Sequence, residues 1–517
     1  LLALVVFALI VLAPLWRPSA GTPVHSVFHW DTMSYHYPRL MYATATVQNA
    51  AELPLWLPFQ NLGFPNVGDP QTQLWFPLTW LVLLTVGYSI KILQLQIIAT
   101  FLLAGLGTYL CARILFPLRA VAWMAAASYM FCGYFITGAG LLGTFTTMAI
   151  FPWLFAAILM GVHGGPRAWG WAALAGLLLA QCSVGGHPTT AFIAGINTAL
   201  LWLFWPRATT RGPARLGQVA LLAILAALIA APQVLGVLWL MGQVPALSTR
   251  SLEIAEFDSL LPRSLFNFVF PRLPLYSHQS FHVTHVAHLG SYAGLLALGG
   301  AVLALTRRRW PVALRVLLVA AGINLLLAMG AATPLRSAFY FFIPGMGAPH
   351  HASMDFRGFG IFFGILLAGW GWMRLLAAVR VRHAVACKTS RAYLAGLIVL
   401  LLAGFFAMIL AWEEVANVAQ NPPFQIDPWQ HTGMVFFLES FMAQAVTVGL
   451  LVIALAWARR TPRHRLAAWG LALFVAFDMG ASVRRALPLL ADPVDQQGWG
   501  ALMRLQASQP DEFRPEQ

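Results

Sequence analysis

The chain is 517 residues long, 59% apolar and only 9% charged, with a mean hydropathy of +0.73, whereas soluble domains are about a quarter charged. That composition excludes an ordinary soluble enzyme and defines a polytopic membrane protein. The net charge of +14 does not make it a nucleic-acid binder, because the basic residues fall in short runs between apolar segments, the pattern of cytoplasmic membrane loops.

A membrane-crossing helix needs about 20 mainly apolar residues, fewer where the bilayer thins or flanking side chains snorkel. In chain order the candidates are 1 to 16, 92 to 112, 119 to 137, 142 to 162, 168 to 184, 188 to 205, 216 to 241, 289 to 306, 311 to 330, 356 to 376, 392 to 412, 439 to 457 and 466 to 483. We therefore expect an all-α polytopic membrane protein of about 13 transmembrane helices over residues 1–483, with large loops carrying short interfacial helices. The chain opens at Leu1 inside an apolar run, so its start reads as trimmed and 1 to 16 as a retained helix. The tail 484–517 reads as the truncated start of a further extracytoplasmic portion.

The connections holding Arg113 and Arg119, Arg167, Arg207 to Arg215, Arg307 to Arg309, Arg374 to Arg391 and Arg459 to Arg465 are cytoplasmic by the positive-inside rule. They alternate correctly only if "FPLTWLVLLTVGYSI", 76 to 90, does not cross. Its Trp80 and Tyr88, with Trp75 just before it, suit an interfacial depth. The N-terminus is then cytoplasmic and the C-terminus extracytoplasmic, and the long connections 17–91, 242–288, 331–355 and 413–438 all face outward. Cys111, Cys132, Cys182 and Cys387 are scattered singly in mostly apolar stretches and read as packing residues.

The first outward loop begins "FHWDTMSYHYPRLMYA" and continues "LPLWLPFQNLGFPNVGDPQTQLWFP". Its prolines, Pro38, Pro54, Pro58, Pro65, Pro70 and Pro77, cut it into short turns and favour a rigid loop, the usual place for a site on a helical scaffold. The acid after the first helix, then "YHYPRL", "LPLWLPFQNLGFPN" and "QLWFPLTWLVLL", resemble the first extracytoplasmic loop of GT-C-type integral membrane glycosyltransferases, and among these the YfhO-like bacterial membrane proteins. "GGHPTTAF" at 185–192 and "PHHASMDFRGFGIFFGILLAGWGW" at 349–372 are also similar to segments of that family.

The resemblance implies a GT-C-like fold in the bacterial cytoplasmic (inner) membrane. It also implies transfer of a sugar from a polyprenyl-phosphate donor to an extracytoplasmic glycan or lipid acceptor, with membrane lipids as further partners. Asp31 maps onto the family's first-loop acid, the catalytic or metal-associated carboxylate, but stands alone in "WDT" where members commonly carry an acidic pair. A divalent cation is the one cofactor this leaves open, with no ligand set assigned.

Such a transfer needs a base for the acceptor hydroxyl proton and cations for the departing phosphate. Asp31 is the candidate base; a hydrated loop carboxylate is the plain alternative. Arg39, Arg250, Arg263, Arg272, Arg336 and Arg357 are the outward arginines, with His187, His350 and His351 as weaker donors. Arg357 leads the phosphate candidates because it lies near a helix start, followed by His350, His351, Arg250 and Arg263. An Asp355–Arg357 surface contact explains the same arginine equally well. Tyr35, His36, Trp56, Asp69, His187, Glu256 and Asp258 are the candidate substrate-binding residues.

Glu253 and Glu256 are spaced to share a helix face, and a solvated helix with internal ion pairs is the default for Glu253. In "HQSFHVTHVAHLG", His278, His282, His285 and His288 are spaced to align on one helix face; metal binding is the minor reading and hydrogen bonding to headgroups or backbone the major one. Gln181, Asn197, Gln233 and Asn324 read as helix-to-helix hydrogen-bonding groups, and Asp478 as structural, reaching toward Arg484 or Arg485. The rival functions are a transporter or lipid flippase without glycosyl transfer and a non-catalytic envelope scaffold. A transporter tends to show inverted repeats and midplane ionisable groups, whereas here the acids and arginines concentrate in loops on one face.

Overall fold

The computed structural model describes residues 1–16, 25–28, 31–59, 63–163, 165–206, 212–244, 250–271, 286–306, 309–347, 351–381, 395, 433–461 and 464–494. Seven helices among them are long and apolar enough to cross a membrane: those within Ile90–Leu115, Arg119–Gly138, Leu142–Val162, Pro213–Gln243, Ala352–Ala377, Ser440–Ala458 and Arg465–Leu487. Five shorter apolar helices, Leu2–Val11, Ala168–Val184, Pro188–Phe204, Leu295–Leu305 and Val312–Ala328, fall on other expected spans. The candidate span at 392 to 412 lies outside the described residues. Among the described residues the protein is all-α apart from two short two-stranded ladders.

Burial sorts the helices into inner and outer. The apolar window of Arg119–Gly138 is 94% buried in protein, whereas that of Pro213–Gln243 is 17% buried and turns Ile224, Leu228, Leu235, Leu238 and Trp239 outward. With water absent around it, such a face is what lipid accepts. At the centre, Phe101, Tyr129, Phe135, Phe145, Phe151 and Phe362 interlock mainly edge-to-face, with centroids 4.9–6.1 Å apart along the chain of rings. Asn197 and Asn324 exchange amide hydrogen bonds of 3.3 and 2.9 Å between Pro188–Phe204 and Val312–Ala328, as the sequence suggests. Cys111, Cys132 and Cys182 are buried free thiols.

Asp478 is structural but with other partners than expected: it accepts from the Tyr292 hydroxyl (2.5 Å) and the Leu295 amide (3.1 Å). Burial at 5% exposure directs it inward to the start of Leu295–Leu305, while Arg484 donates to the Ile10 carbonyl instead.

Three features position the loops. The segment 76–90 contains only an eight-residue helix, Pro77–Leu84, too short to cross, with Leu78, Leu81 and Leu84 exposed on it. The helix Arg119–Met130 breaks at Phe131 and Cys132, and the amide of Gly133 donates to the Tyr292 carbonyl (2.6 Å). A Cβ on Gly133 would meet the Gly290 carbonyl carbon at 2.7 Å, so glycine is what lets the 286–292 segment dock there. Finally, His25–Phe28 pairs antiparallel with Ala491–Val494, which puts the start of the first loop and the start of the tail on the same face.

The first loop is more helical than its prolines suggest. Asp31 precedes a π-helical turn, Thr32–His36, that runs directly into the 13-residue helix Tyr37–Asn49. Pro38 lies in the first turn of that helix, where its missing N–H costs nothing and its fixed φ is already helical.

Candidate functional site

Asp31 is partly buried at the root of the first loop. Burial raises its carboxyl above the ordinary range, and the positive charges of His351 and Arg39 draw it part of the way back. One turn on, Tyr35 and Arg39 both donate to Asp69 Oδ2, and the guanidinium carbon of Arg39 sits 3.2 Å above the Tyr35 ring. The other Asp69 oxygen accepts from the Gln71 amide at 3.0 Å. Asp69 and Tyr35, expected at substrate, are thus tied directly to each other and both to Arg39, and the Tyr35 hydroxyl is pushed up by burial and the Asp69 charge.

Gln73 fixes the far side of this loop. Its φ of +55° is a left-handed conformation, held because its amide donates to the Gly185 carbonyl and to Thr146 Oγ1 (3.3 Å) and its oxygen accepts from Gln96 (3.2 Å). Tyr88 completes the chain by donating to Gln96 at 3.0 Å. The loop is therefore anchored on the "GGHP" turn that carries His187.

His36 is 3% exposed, and burial together with the Arg39 charge lowers its pKa to about 3. A lowered histidine contributes stability in full above the unfolded value of about 6.5 and loses it as pH falls toward the folded value. The unfolding midpoint in detergent should therefore fall between pH 7 and pH 5, and His36→Gln should flatten that decline; an unchanged slope would remove His36 as its source. His187 is similar: burial, then the charges of His351 and Arg250, lower it to about 4, and its buried Nδ1 has no hydrogen-bond partner among the described residues.

The second and third loops meet at His351. Asp258, fully buried in a left-handed conformation (φ +54°), places Oδ2 at 2.9 Å from His351 Nδ1 and 3.3 Å from His288 Nε2. The two imidazoles stack with centroids 4.5 Å apart. Leu260 N donates to Ala328 O (2.8 Å) and Ala331 N to Ser259 Oγ (3.1 Å), fixing the turn that carries Asp258. The sequence marks each of these three residues separately, but not their convergence.

Arg357 is 0% exposed and does not face a loop surface. Its guanidinium donates to the Ala287 carbonyl and to Ser353 Oγ (3.0 Å), and Ser353 in turn donates to the His288 carbonyl (2.5 Å). Arg357 thereby clamps the turn bearing His288 onto Ala352–Val381. Asp355 is also buried and lies near His351 and Arg336 rather than forming a surface pair with Arg357. Arg336, another outward arginine by sequence, is 0% exposed and donates to the Met346 carbonyl (2.9 Å).

Of the remaining candidates, Arg250 has a backbone tied to Gly347 (3.1 Å) and Tyr340 (2.7 Å), and its charge reaches His187. Arg263 is partly buried on Pro262–Phe268. Glu256 accepts from Ser337 at 2.6 Å, beyond the end of a helix, Leu252–Ala255, too short to give it a shared face with exposed Glu253. Trp56 is 49% exposed, stacked over Gly63 in the ladder Trp56–Leu57 with Phe64–Pro65. His350, Arg272, His278, His282 and His285 lie outside the described residues.

His351 and Arg39 thus act electrostatically on Asp31, and His351 and Arg250 on His187, while Asp258 contacts both His351 and His288. The charges that bear on Asp31 are those of His351 and Arg39, which oppose a further cation at that carboxylate. Among the described residues, the donor set suited to a metal is Asp258, His288 and His351.

No protein-family model matches the chain, and no curated protein matches it in sequence. In fold it is similar to ArnT from Cupriavidus metallidurans in the apo state, at 16% identity and a TM-score of 0.50 over 94% of this chain and 76% of that one. Weaker likenesses are to arabinofuranosyltransferase AftD from Mycobacteria (16% identity, TM-score 0.45, 80% of this chain) and to the archaeal oligosaccharyltransferase AglB from Archaeoglobus fulgidus in complex with an inhibitory peptide and a dolichol-phosphate (13%, 0.43, 85% of this chain). The chain spans 27% of the length of AftD and 59% of AglB. The ArnT likeness establishes the fold class: an all-α polytopic membrane architecture of the GT-C type.

Proposed function

We propose that the chain is a membrane glycosyltransferase that moves a sugar from a polyprenyl-phosphate donor to an extracytoplasmic acceptor, a cell-envelope glycan or lipid. The observation that supports this most is Asp31, a partly buried carboxylate at the root of the first loop, in the field of Arg39 and His351. Asp31 takes the acceptor hydroxyl proton as that oxygen bonds to the anomeric carbon. The bond from that carbon to the phosphate oxygen breaks with its electron pair, and polyprenyl phosphate leaves. Arg250 is the cation placed to hold the leaving phosphate, with His351 and a neutral His187 as hydrogen-bonding groups beside it. Arg357, Asp69 and Tyr35 act by positioning these groups. The loops and C-terminus face outward from a bacterial cytoplasmic membrane, and the N-terminus faces the cytoplasm.

The test is reconstitution of purified protein with a radiolabelled polyprenyl-phosphate sugar and a delipidated envelope fraction. Transfer should appear as label in the acceptor with stoichiometric release of polyprenyl phosphate. Counterflow of the lipid-linked sugar without any glycosidic product would replace this reading with transport.

A further inference from the structure

We propose that Asp258, His288 and His351 bind one divalent transition-metal ion, zinc or a close relative, through Asp258 Oδ2, His288 Nε2 and His351 Nδ1. All three donor atoms lie within 4.8 Å of one another. Two of the separations, 2.9 and 3.3 Å, radiate from the single oxygen Oδ2. A tetrahedral zinc site with bonds of about 2.0–2.1 Å holds neighbouring donors about 3.3–3.4 Å apart, so the spacing from Oδ2 is near that of a site, and the two rings must turn out of their stacked arrangement to aim both lone pairs at one ion.

Two imidazoles and one carboxylate suit zinc and its neighbours in the first transition row, not the all-oxygen shells of magnesium or calcium. Three protein ligands also leave a fourth position, the arrangement of open rather than closed zinc sites.

The surroundings hold the ligands where an ion needs them. The His288 carbonyl is fixed by Ser353, and Ser353 by Arg357, so the imidazole is carried on a clamped turn. The Asp258 turn is pinned to the end of Val312–Ala328 through Leu260. Side-chain exposure is 0% for Asp258, 4% for His288 and 30% for His351. The approach is thus on the His351 side, the side whose charge reaches Asp31 and His187. An ion there would present its open position to an oxygen ligand such as a phosphate, a use that rests on the transfer reading; metal binding itself does not.

The experiment is metal titration of full-length protein in detergent after chelator treatment. Co²⁺ is followed by its visible d–d absorption and Zn²⁺ by competition and elemental analysis. One equivalent should bind, with affinity at least tenfold weaker in Asp258→Asn and in His351→Gln, and unchanged when His278, His282 and His285 are all replaced by Gln. Zn²⁺ should raise the unfolding temperature of the parent but not of His351→Gln, whose partly exposed ring makes it the variant best able to fold. Failure of the parent to bind saturably, full binding by both variants, or loss only in the triple variant would each overturn the site and leave a hydrogen-bonded Asp–His–His cluster. Sugar transfer that survives complete metal removal would leave the transfer reading intact, and stoichiometric metal without transfer would leave the site intact.

Discussion

Replacing Asp31 with Asn is expected to lower sugar transfer by about 10²- to 10⁴-fold, the usual contribution of a positioned general base, while leaving the protein at least as stable as the parent. The two halves of that result have one cause. Burial raises the Asp31 pKa, so the ionised form that chemistry requires is the form the fold disfavours. A raised carboxyl contributes stability in full at pH below its unfolded value of about 3.9, and that contribution is lost as pH rises through the folded value. At pH 7 the carboxylate is therefore a cost of folding, and the neutral amide removes it.

The same displacement predicts an acid limb of kcat/KM above the ordinary aspartate range in the parent, and its absence from the residual activity of Asp31→Asn. Full activity of the variant in a working assay would remove Asp31 as the base. A variant that lost activity together with its fold would point instead to a structural carboxylate.

The second large effect concerns stability. Arg39 is 3% exposed, and Asp69 is its carboxylate partner. Asp69→Ala would remove the carboxylate that pairs with a buried guanidinium, a change that costs about 3–5 kcal/mol when one partner of a buried pair is lost. It also deprives Tyr35 and the Gln71 amide of their acceptor. The variant should unfold at markedly lower temperature in detergent and be cleaved readily within residues 31–76 by limited proteolysis. Asp69→Asn, which keeps an acceptor oxygen, should lie between the two. A change below about 1 kcal/mol, the range of exposed ion pairs, would mean that the loop is anchored elsewhere, with the Gln73–Gln96–Tyr88 chain the next element to remove.

These effects locate what the sequence makes legible. Spanning helices are visible because a lipid-facing helix must be apolar for about 20 residues whatever its neighbours, and arginine parity leads to the expectation that 76–90 does not cross. The short Pro77–Leu84 helix agrees with it. Pro38 misleads because proline breaks a helix interior but not a first turn, and the boundary is set by the π-turn before it.

Arg357 misleads for a different reason. Position at a helix start says which face of the membrane it approaches, but tertiary packing decides that its guanidinium meets Ala287 and Ser353. Likewise His288 reads naturally with His278, His282 and His285 on one helix face, yet its described neighbours are Asp258 and His351, brought together by helices packing between them. Local periodicity carries no information about such closures.

The ladder between His25–Phe28 and Ala491–Val494 has a kinetic consequence. Its register sets Phe28 opposite Ala491 and His25 opposite Val494, two strands with all the long described helices of the chain between them. Closing so long a loop carries a large entropic cost, and non-local pairings of this kind form late in folding. The segment that leads toward Asp31 is therefore fixed by this ladder only after the helices between its strands have packed.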